Sequence, residues 1–252
     1  MRPAKSWLWS CPECSFLRAR LKPGGGRGVG GLKSLRRENF AILLRHLPDG
    51  GQRLLEIGSA EGWFLKAATE AGFDARGIEP SPGGAQAQPI DKGFFPQDLS
   101  DPGPYDIVVF NDVYEHFDDP VQTIRDVEAL LAPGGRVVIN LPMSSGILYR
   151  IAGLLDAVGL HGPLDRLWQR GLPSPHMTYF NRRNLTALVT RHTGLRFVES
   201  FPLPSFSRHG LKARIFSTSR GLSGLTQFVA LWLLSFVIEA LPADTAVLIF
   251  RK

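Results

Sequence analysis

Acidic and amide side chains recur where the apolar runs of this sequence end. The first such run, RLLEIG, carries Glu56 and leads into a turn bracketed by Gly58 and Gly62. Glycine lets the backbone approach a ligand closely. A carboxylate about 20 residues after such a turn suits the two hydroxyls of a ribose. An acid after the next apolar run can accept a hydrogen bond from an adenine amino group. The polar residues at the ends of the next three runs are Glu79, Asp98, and Asn111 with Asp112. These residue types indicate a site for a nucleoside-containing ligand.

Seven apolar runs alternate with helical segments and must position these side chains. The predicted strands are RLLEIG, DARGIEP, KGFFPQDL, YDIVVFND, RVVINLP, LRFVESF and TAVLIFRK. Helices are predicted over LKSLRRENFAILLRHL, GWFLKAATEAG, DPVQTIRDVEALLAPGG and NRRNLTALVTRHTG. This alternation predicts an α/β fold: a doubly wound, mostly parallel sheet of seven strands with helices on both faces. Ligands of such sheets bind beyond the carboxyl ends of the strands, where the polar residues stand.

Five sequence blocks together resemble a known family. LLEIGSAEG, GIEP, QDL, FNDVYEHFDDP and LLAPGGRVVINLP follow one another in the order found in class I S-adenosylmethionine-dependent methyltransferases. The resemblance covers roughly residues 50–200. It implies a Rossmann-like domain that binds S-adenosylmethionine, with Glu79 on the ribose, Asp98 on the adenine and Asn111 near the sulfonium. The residues that it implies around the methionine part are Glu56, Gly58, Ser59, Ala60 and Gly62.

The turn between Gly58 and Gly62 distinguishes S-adenosylmethionine from NAD, the main alternative cofactor. A dinucleotide turn has three glycines that cradle a pyrophosphate at the start of a helix. Here Ala60 occupies the middle position, and Glu61 would place a negative charge beside that pyrophosphate. S-adenosylmethionine has no phosphate and carries a positive sulfonium, so the acidic turn favours it.

The block NDVYEHFDDP holds the candidates for catalysis. In the related ubiquinone-biosynthesis O-methyltransferases, two acids and a histidine at this spacing hold a divalent metal, and Asp112, Glu115 and His116 match the spacing with a shorter first acid. His116 can instead deprotonate a hydroxyl group as a general base, since histidine titrates near neutral pH. A third alternative is that Glu115 and His116 only cap or pack at the strand end. His116 is the first candidate for the catalytic residue.

Methyl transfer from an activated sulfonium needs positioning and desolvation more than a particular side chain, so the acceptor is harder to predict than the donor. We expect a small-molecule or lipid-like acceptor and O- or C-methylation. The alternatives are an RNA or protein methyltransferase and a non-catalytic protein that keeps the cofactor fold as a scaffold. The net charge of −6 over residues 54–204 disfavours nucleic acid.

Two insertions exceed the minimal fold. The first, at about 143–180, contains an apolar helical face made of Ile147, Ile151, Leu154, Leu155 and Val158, and the family resemblance implies that this region caps the acceptor pocket as a lid. His176 and Tyr179 either face the acceptor or pin this lid to the domain. The second, at about 205–242, contains GLSGLTQFVALWLLSFVIEAL, a helix that is apolar almost all round. Such a helix packs in its own domain, in a homodimer interface or on a membrane surface, and packing within the domain is favoured.

The N-terminal residues 1–31 are predicted to be a basic tail with a glycine-rich linker. Residues 1–53 carry a net charge of +8 and residues 205–252 carry +4, which suits either solvated ends or an anionic membrane surface. Cys11 and Cys14 form a CxxC, half of a zinc site, and His46 is the next candidate ligand. Two cysteines this close suit a reducing cytoplasm. No secretory signal is expected, because the N-terminus lacks a continuous apolar stretch. No membrane span is expected either, because the most apolar run, at 228–238, is shorter than the ~20 residues that a bilayer requires.

Overall fold

The structure of the chain, a computed structural model, describes residues 1–25, 33–48, 50–83, 88–204 and 243–252, together with residues 225, 228, 229 and 232. The strands in this part are β1 (Arg2–Lys5), β2 (Leu8–Ser10), β3 (Leu17–Ala19), β4 (Arg53–Ile57), β5 (Asp74–Glu79), β6 (Ile90–Lys92), β7 (Tyr105–Asn111), β8 (Leu131–Pro142), β9 (Thr178–Tyr179), β10 (Arg196–Leu203) and β11 (Thr245–Arg251). The helices are α1 (Lys33–Arg45), α2 (Trp63–Glu70), α3 (Pro120–Leu130), α4 (Ile147–Ala157), α5 (Gly162–Leu167) and α6 (Arg182–His192). A 3-10 turn covers Tyr114–His116.

Seven strands form the central sheet in the order β10-β11-β8-β7-β4-β5-β6. Strands β4 to β8 pair in parallel, while β11 runs antiparallel to both of its neighbours. The strand order changes direction between β4 and β7, which is the point where α/β sheets bind ligands. The prediction of an α/β, mostly parallel seven-stranded sheet is confirmed.

Helices cover both faces of this sheet because successive side chains of a buried strand point to opposite sides. Val108 and Phe110 of β7 pack with Ile124 of α3 in one hydrophobic cluster. Val109, between them, packs with Phe64 of α2 in the other cluster. The doubly wound arrangement therefore holds the ends of β4 and β7 rigidly beside each other.

The third strand of the parallel half is shorter than the sequence predicts. The apolar run KGFFPQDL predicts a strand that ends at Asp98, but β6 ends at Lys92. Beyond it the chain turns back on itself, and the carboxylate of Asp98 accepts a hydrogen bond of 2.7 Å from the backbone N–H of Phe94. This turn determines where Asp98 lies.

The N-terminal residues differ from the predicted tail. β1, β2 and β3 form an antiparallel sheet that β9 extends to four strands. Trp7 packs edge-on against Trp168, with ring centroids 5.6 Å apart, and Leu8 is buried beside them. Apolar side chains among the basic residues thus anchor residues 2–19 to the segment before α6. His46 stacks on Phe201 at 3.6 Å, so the structure gives it a packing partner.

The predicted lid at 143–180 contains α4, α5 and β9. Its apolar helical face is largely open to solvent: Ile151, Leu154 and Val158 are 45%, 71% and 74% exposed. Nearly all of the second insertion, at 205–242, lies outside the described residues. Among the helices that the structure describes, none has the length and apolar character that a bilayer crossing requires.

Candidate active site

A cleft of about 820 Å³ opens at the carboxyl ends of the parallel strands. This volume is in the range of small-molecule and cofactor sites. Its walls come from the segments that follow β4, β5, β6 and β7, and they include residues 56–61, 78–80, 93–97, 111–113 and 116–119, with Arg36 and Ser174. The sheet topology therefore brings most of the sequence-predicted site residues to one place.

The turn after β4 has an unusual backbone. Gly58, Ala60 and Gly62 all have positive φ angles, of 77°, 48° and 74°. At Gly58 a Cβ atom would lie 2.4 Å from a methyl group of Val113, so glycine is required there for close approach as well as for conformation. Ala60 is in a conformation that is uncommon for residues other than glycine. Its backbone N–H donates to Glu79 Oε2 over 3.0 Å, which compensates for part of that strain.

Glu56 lies at the cleft with its side chain almost fully buried. Its Oε1 accepts a hydrogen bond of 2.9 Å from Asn111 Nδ2, while its Oε2 has no partner. Burial raises the pKa of Glu56 to about 8, against the opposing effect of the hydrogen bond from Asn111. Ser59 is also buried, and its Oγ has no partner. The cleft thus contains two buried polar side chains with atoms available to a ligand.

Glu79, the last residue of β5, connects two segments of the cleft wall. Its two oxygens accept backbone hydrogen bonds from Ala60 and Ser81, at 3.0 and 3.1 Å. Glu79 therefore joins the turn after β4 to the loop after β5. Both oxygens keep additional lone pairs for a ligand.

Asp98 is not brought into the cleft. Its carboxylate faces the N–H of Phe94 inside the turn after β6, and the lining residues there are 93–97. Phe94, which sequence reasoning did not single out, is 67% exposed beside the cleft. In the sequence Phe94 lies inside the apolar run KGFFPQDL, so no local signal separates it from the side chains of a strand.

Acidic side chains outnumber basic ones along the cleft. Within the described residues that line it, Arg36 is the one arginine or lysine, against seven acids. The acids are Glu56, Glu61, Glu79, Asp112, Asp118, Asp119 and Asp126. A concave site lined by one sign of charge attracts ligands of the opposite sign. The cleft therefore suits a cationic ligand.

The three candidate metal ligands in the block after β7 do not all lie together in the structure. Glu115 and His116 lie together, but their third neighbour is His176 from the segment before β9. Ligand atoms of these three residues are all within 4.8 Å of one another, and they are the one such group among the described residues. Asp112, the first acid of the predicted metal set, does not join them. Its backbone has a φ of 54° and its side chain lines the cleft.

His116 forms part of the cleft wall. Its Nδ1 lies 2.9 Å from the carbonyl oxygen of Pro175 and 3.1 Å from Ser174 Oγ. Because a carbonyl only accepts, Nδ1 carries the proton and Nε2 keeps a free lone pair. Burial lowers the pKa of His116, despite the opposing hydrogen bond to Pro175. The imidazole is therefore neutral at physiological pH.

His176 and Tyr179 are both buried, at 6% and 2% exposure, and neither lines the cleft. The ring of Tyr179 packs against Trp168 at 4.9 Å. Of the two interpretations offered by the sequence, the structure supports pinning the lid to the domain.

Comparison with known proteins adds the family. The family model for a methyltransferase domain matches residues 32–200. A ubiquinone biosynthesis O-methyltransferase of Caulobacter sp. (strain K31) is 32% identical over 104 residues, which are 36% of this chain and 41% of that protein. In each of the first curated relatives, the matched segment covers 62% or less of the length of that protein.

Two solved structures share the fold. An S-adenosylmethionine-dependent methyltransferase from Mesorhizobium loti has a TM-score of 0.53 at 15% identity, covering 84% of this chain and 96% of its own. The cyclopropane synthase MmaA2 from Mycobacterium tuberculosis has a TM-score of 0.58 at 14% identity, covering 93% and 90%. The family model matches well over half of the sequence. The matched residues include all the segments after β4 that line the cleft. The chain belongs to the methyltransferase-domain family.

Proposed function

We propose that this chain transfers a methyl group from S-adenosylmethionine to a small-molecule or lipid-like acceptor, at oxygen or carbon. The observation that carries the proposal is the acid-lined cleft at the ends of β4, β5 and β7. The cofactor would supply a methyl group already activated on a positively charged sulfonium. Even with the buried Glu56 protonated, the acidic side chains of the cleft outnumber its one arginine and suit such a cation.

Residues before and within the turn after β4 fit the cofactor. The unpartnered Oε2 of Glu56 and Oγ of Ser59 are buried polar atoms that a ligand's ammonium or hydroxyl groups would satisfy. Asn111, bonded to Glu56, would stand near the sulfonium, and Glu79 would bind the ribose hydroxyls. For the adenine we assign the loop at 93–97 in place of Asp98, because that loop lines the cleft.

The charge of the cleft also bears on the acceptor. A phosphorylated or nucleic-acid acceptor would bring its anionic groups against these carboxylates, which favours a neutral or cationic small molecule. A protein acceptor and a scaffold that binds cofactor without turnover remain the alternative functions to be tested.

The exposed aliphatic residues of the lid support an apolar, lipid-like acceptor. Ile151, Leu154 and Val158 of the lid lie in water, and Leu148 and Leu160 beside them are 46% and 57% exposed. Apolar surface of this kind marks contact with apolar partners when it is contiguous. We propose that the chain works in the cytoplasm and contacts a membrane surface peripherally through the lid. Sedimentation with anionic vesicles tests the contact; sedimentation unchanged by Leu154→Glu would contradict it.

His116 is the residue proposed to act on the acceptor. Its neutral imidazole lines the cleft and keeps the Nε2 lone pair free. That lone pair can take the acceptor's proton or can bind a cation beside the acceptor. Either use requires the acceptor to reach the end of β7.

Calorimetry and a labelled transfer assay test the function in two steps. Calorimetry is expected to show one S-adenosylmethionine bound per chain and no binding of NAD; an absence of S-adenosylmethionine binding would refute the proposal. The chain is then incubated with methyl-labelled cofactor and separate polar, lipid, RNA and protein fractions. Label in the polar or lipid fraction is expected. Label in RNA or protein would replace the proposed acceptor class, and cofactor binding without transfer to any fraction would favour the scaffold.

A further inference from the structure

We propose that Glu115, His116 and His176 bind one divalent transition-metal ion between the end of β7 and the lid. The ion site goes beyond the proposed function, and rests on it only in taking His116 to face the acceptor. It assigns a ligand, His176, that the spacing of the sequence block does not contain, and it leaves out Asp112, which the spacing does contain.

The geometry of the three side chains suits one ion. The rings of His116 and His176 are 4.8 Å apart at 72°, and His176 Nε2 lies 3.7 Å from Glu115 Oε1. Candidate ligand atoms of all three lie within 4.8 Å of each other. Ligands at about 2.0–2.2 Å from a shared ion stand somewhat closer together than this. Small side-chain rotations are therefore sufficient to complete the set.

Unsatisfied polar atoms point to a missing partner. Both carboxylate oxygens of Glu115 and Nδ1 of His176 are buried without a hydrogen bond. Glu115 is 1% exposed and His176 is 6% exposed, so bulk solvent does not reach these atoms. A buried polar group without a partner is costly, and buried charges are normally paired or bind metals. One cation beside Glu115 would satisfy its carboxylate.

The surroundings hold His116 as a metal ligand is usually held. A ligating histidine almost always donates its other ring N–H to a carbonyl or carboxylate. His116 does this through Nδ1 to Pro175, which leaves Nε2 for the ion. Gln169 Nε2 lies 2.8 Å from His176 Nε2, the nitrogen that faces Glu115, so this amide turns aside when the ion binds there.

The backbone brings His176 to Glu115. The N–H of Met177 donates to the carbonyl oxygen of Glu115 over 2.9 Å, and Thr178 Oγ1 donates to the same oxygen over 3.2 Å. The strand that follows His176 is thus already docked on the 3-10 turn. An ion at this place would fasten the lid segment to the sheet edge.

The donor set indicates the class of ion. Two imidazoles and one carboxylate suit Zn²⁺, Fe²⁺ or Co²⁺, whereas Mg²⁺ and Ca²⁺ prefer oxygen ligands alone. Three protein ligands leave a coordination position open, and His116 lines the cleft. A cation in such a position lowers the pKa of an oxygen bound to it. His116 Nε2 would then act on the acceptor through the ion.

Metal content is the first test. The full chain, with Cys11→Ser and Cys14→Ser to remove the thiolates, is dialysed against Zn²⁺ and analysed by elemental mass spectrometry. One zinc per chain is expected, and none at micromolar zinc would overturn the site. Co²⁺ is then added to the chain with both cysteines present. Visible d–d bands without the thiolate charge-transfer band are expected; bands of thiolate ligation alone would assign the ion to the CxxC.

Variants identify the ligands. His176→Ala and Glu115→Gln are each expected to weaken zinc binding more than about tenfold, while Asp112→Asn and the control His192→Ala leave it unchanged. Loss in Asp112→Asn with retention in His176→Ala would overturn the assignment in favour of the spacing-derived set. S-adenosylmethionine binding is measured on the same samples. Cofactor binding without zinc refutes the ion site alone, and zinc without cofactor binding refutes the proposed function alone.

Discussion

Asn111 donates a hydrogen bond from Nδ2 to Glu56 Oε1 over 2.9 Å, and so joins the ends of two adjacent parallel strands. Asn140 of the next strand, β8, in turn donates to Asn111 Oδ1 over 3.4 Å. Three neighbouring strands therefore orient one buried carboxyl group at the cleft. Glu56 is held in place by β7 and β8 and keeps one oxygen unpartnered, so its protonation state is coupled to whatever the cleft binds.

The first prediction concerns cofactor affinity and pH. Burial raises the pKa of Glu56 to about 8, so the carboxyl is largely protonated at neutral pH in the free chain. A bound cation favours the ionised form. Affinity for S-adenosylmethionine is therefore expected to rise as pH increases from about 6 to 9, and Glu56→Gln is expected to lose much of that rise. Calorimetry of both proteins over this range measures it.

The comparison with Glu56→Gln is necessary because the amino group of the cofactor also titrates near pH 8. The titration of this amino group in the free cofactor is common to both proteins and cancels in the difference between their affinities. Parallel affinity–pH curves for the two proteins would show that Glu56 does not respond to the cofactor.

The second prediction concerns stability without ligand. The pKa of Glu56 is about 8 in the folded chain, against an ordinary value of 4.5, so the folded state holds a proton that the unfolded state releases between these values. The free energy of unfolding is therefore expected to fall as pH rises from about 4.5 to 8, by up to about 1.4 kcal/mol for each pH unit within this interval. Burial raises the pKa of Glu115 too, which acts in the same direction. Urea unfolding of Glu56→Gln should show a shallower fall; an equal slope would contradict the assignment to Glu56.

The third prediction concerns Glu79. Its carboxylate holds the N–H groups of Ala60 and Ser81, and it is the proposed ribose ligand. Glu79→Ala is expected to weaken S-adenosylmethionine binding about 10- to 100-fold, since a hydrogen bond to a charged group contributes about 1.5–3 kcal/mol. Glu70→Ala, on the solvent side of α2, is the matched control and should bind normally. Wild-type affinity in Glu79→Ala would exclude a role in binding.

The strand-end residues Glu56, Glu79 and Asn111 could be predicted from the sequence because two local signals agree on them. Each lies at or next to the end of an apolar run. The parallel topology brings the ends of these strands to one edge of the sheet, where the cleft lies. Asp98 also follows an apolar run, but there the strand ends early and a turn directs the carboxylate to Phe94. Apolar composition alone does not distinguish a strand from such a turn.

The contacts between distant segments could not be predicted in the same way. Trp7 and Trp168 pack together, and His176 meets Glu115, although nothing in either local sequence names the partner. The tryptophans and leucines among residues 1–19 were a signal of folding, since apolar side chains are stabilised by burial. The net charge of residues 1–53 favours a tail because a sum of charges does not register the apolar side chains between the basic residues.

The fourth prediction concerns His116. Its imidazole lines the cleft with Nε2 free, so His116→Ala is expected to lower kcat about 10²- to 10⁴-fold while cofactor affinity stays within about twofold. His192→Ala, at the exposed end of α6, serves as the control. A labelled transfer assay with the identified acceptor, together with cofactor calorimetry, measures both quantities. Unchanged kcat in His116→Ala would leave His116 with a packing role only.

The last prediction concerns the anchor between the N-terminal strands and the lid. Trp168 is fully buried and packs against Trp7 at 5.6 Å and Tyr179 at 4.9 Å. Trp168→Ala would leave a cavity and is expected to lower the free energy of unfolding by about 3–5 kcal/mol. Because the lost contacts join two segments, residues 1–25 should also become sensitive to protease. Trp9→Ala is the control: Trp9 is partly exposed, with Arg20 5.0 Å over its ring, and a smaller loss of about 1 kcal/mol is expected. Equal losses in the two variants, measured by urea unfolding, would show that the N-terminal strands do not depend on Trp168.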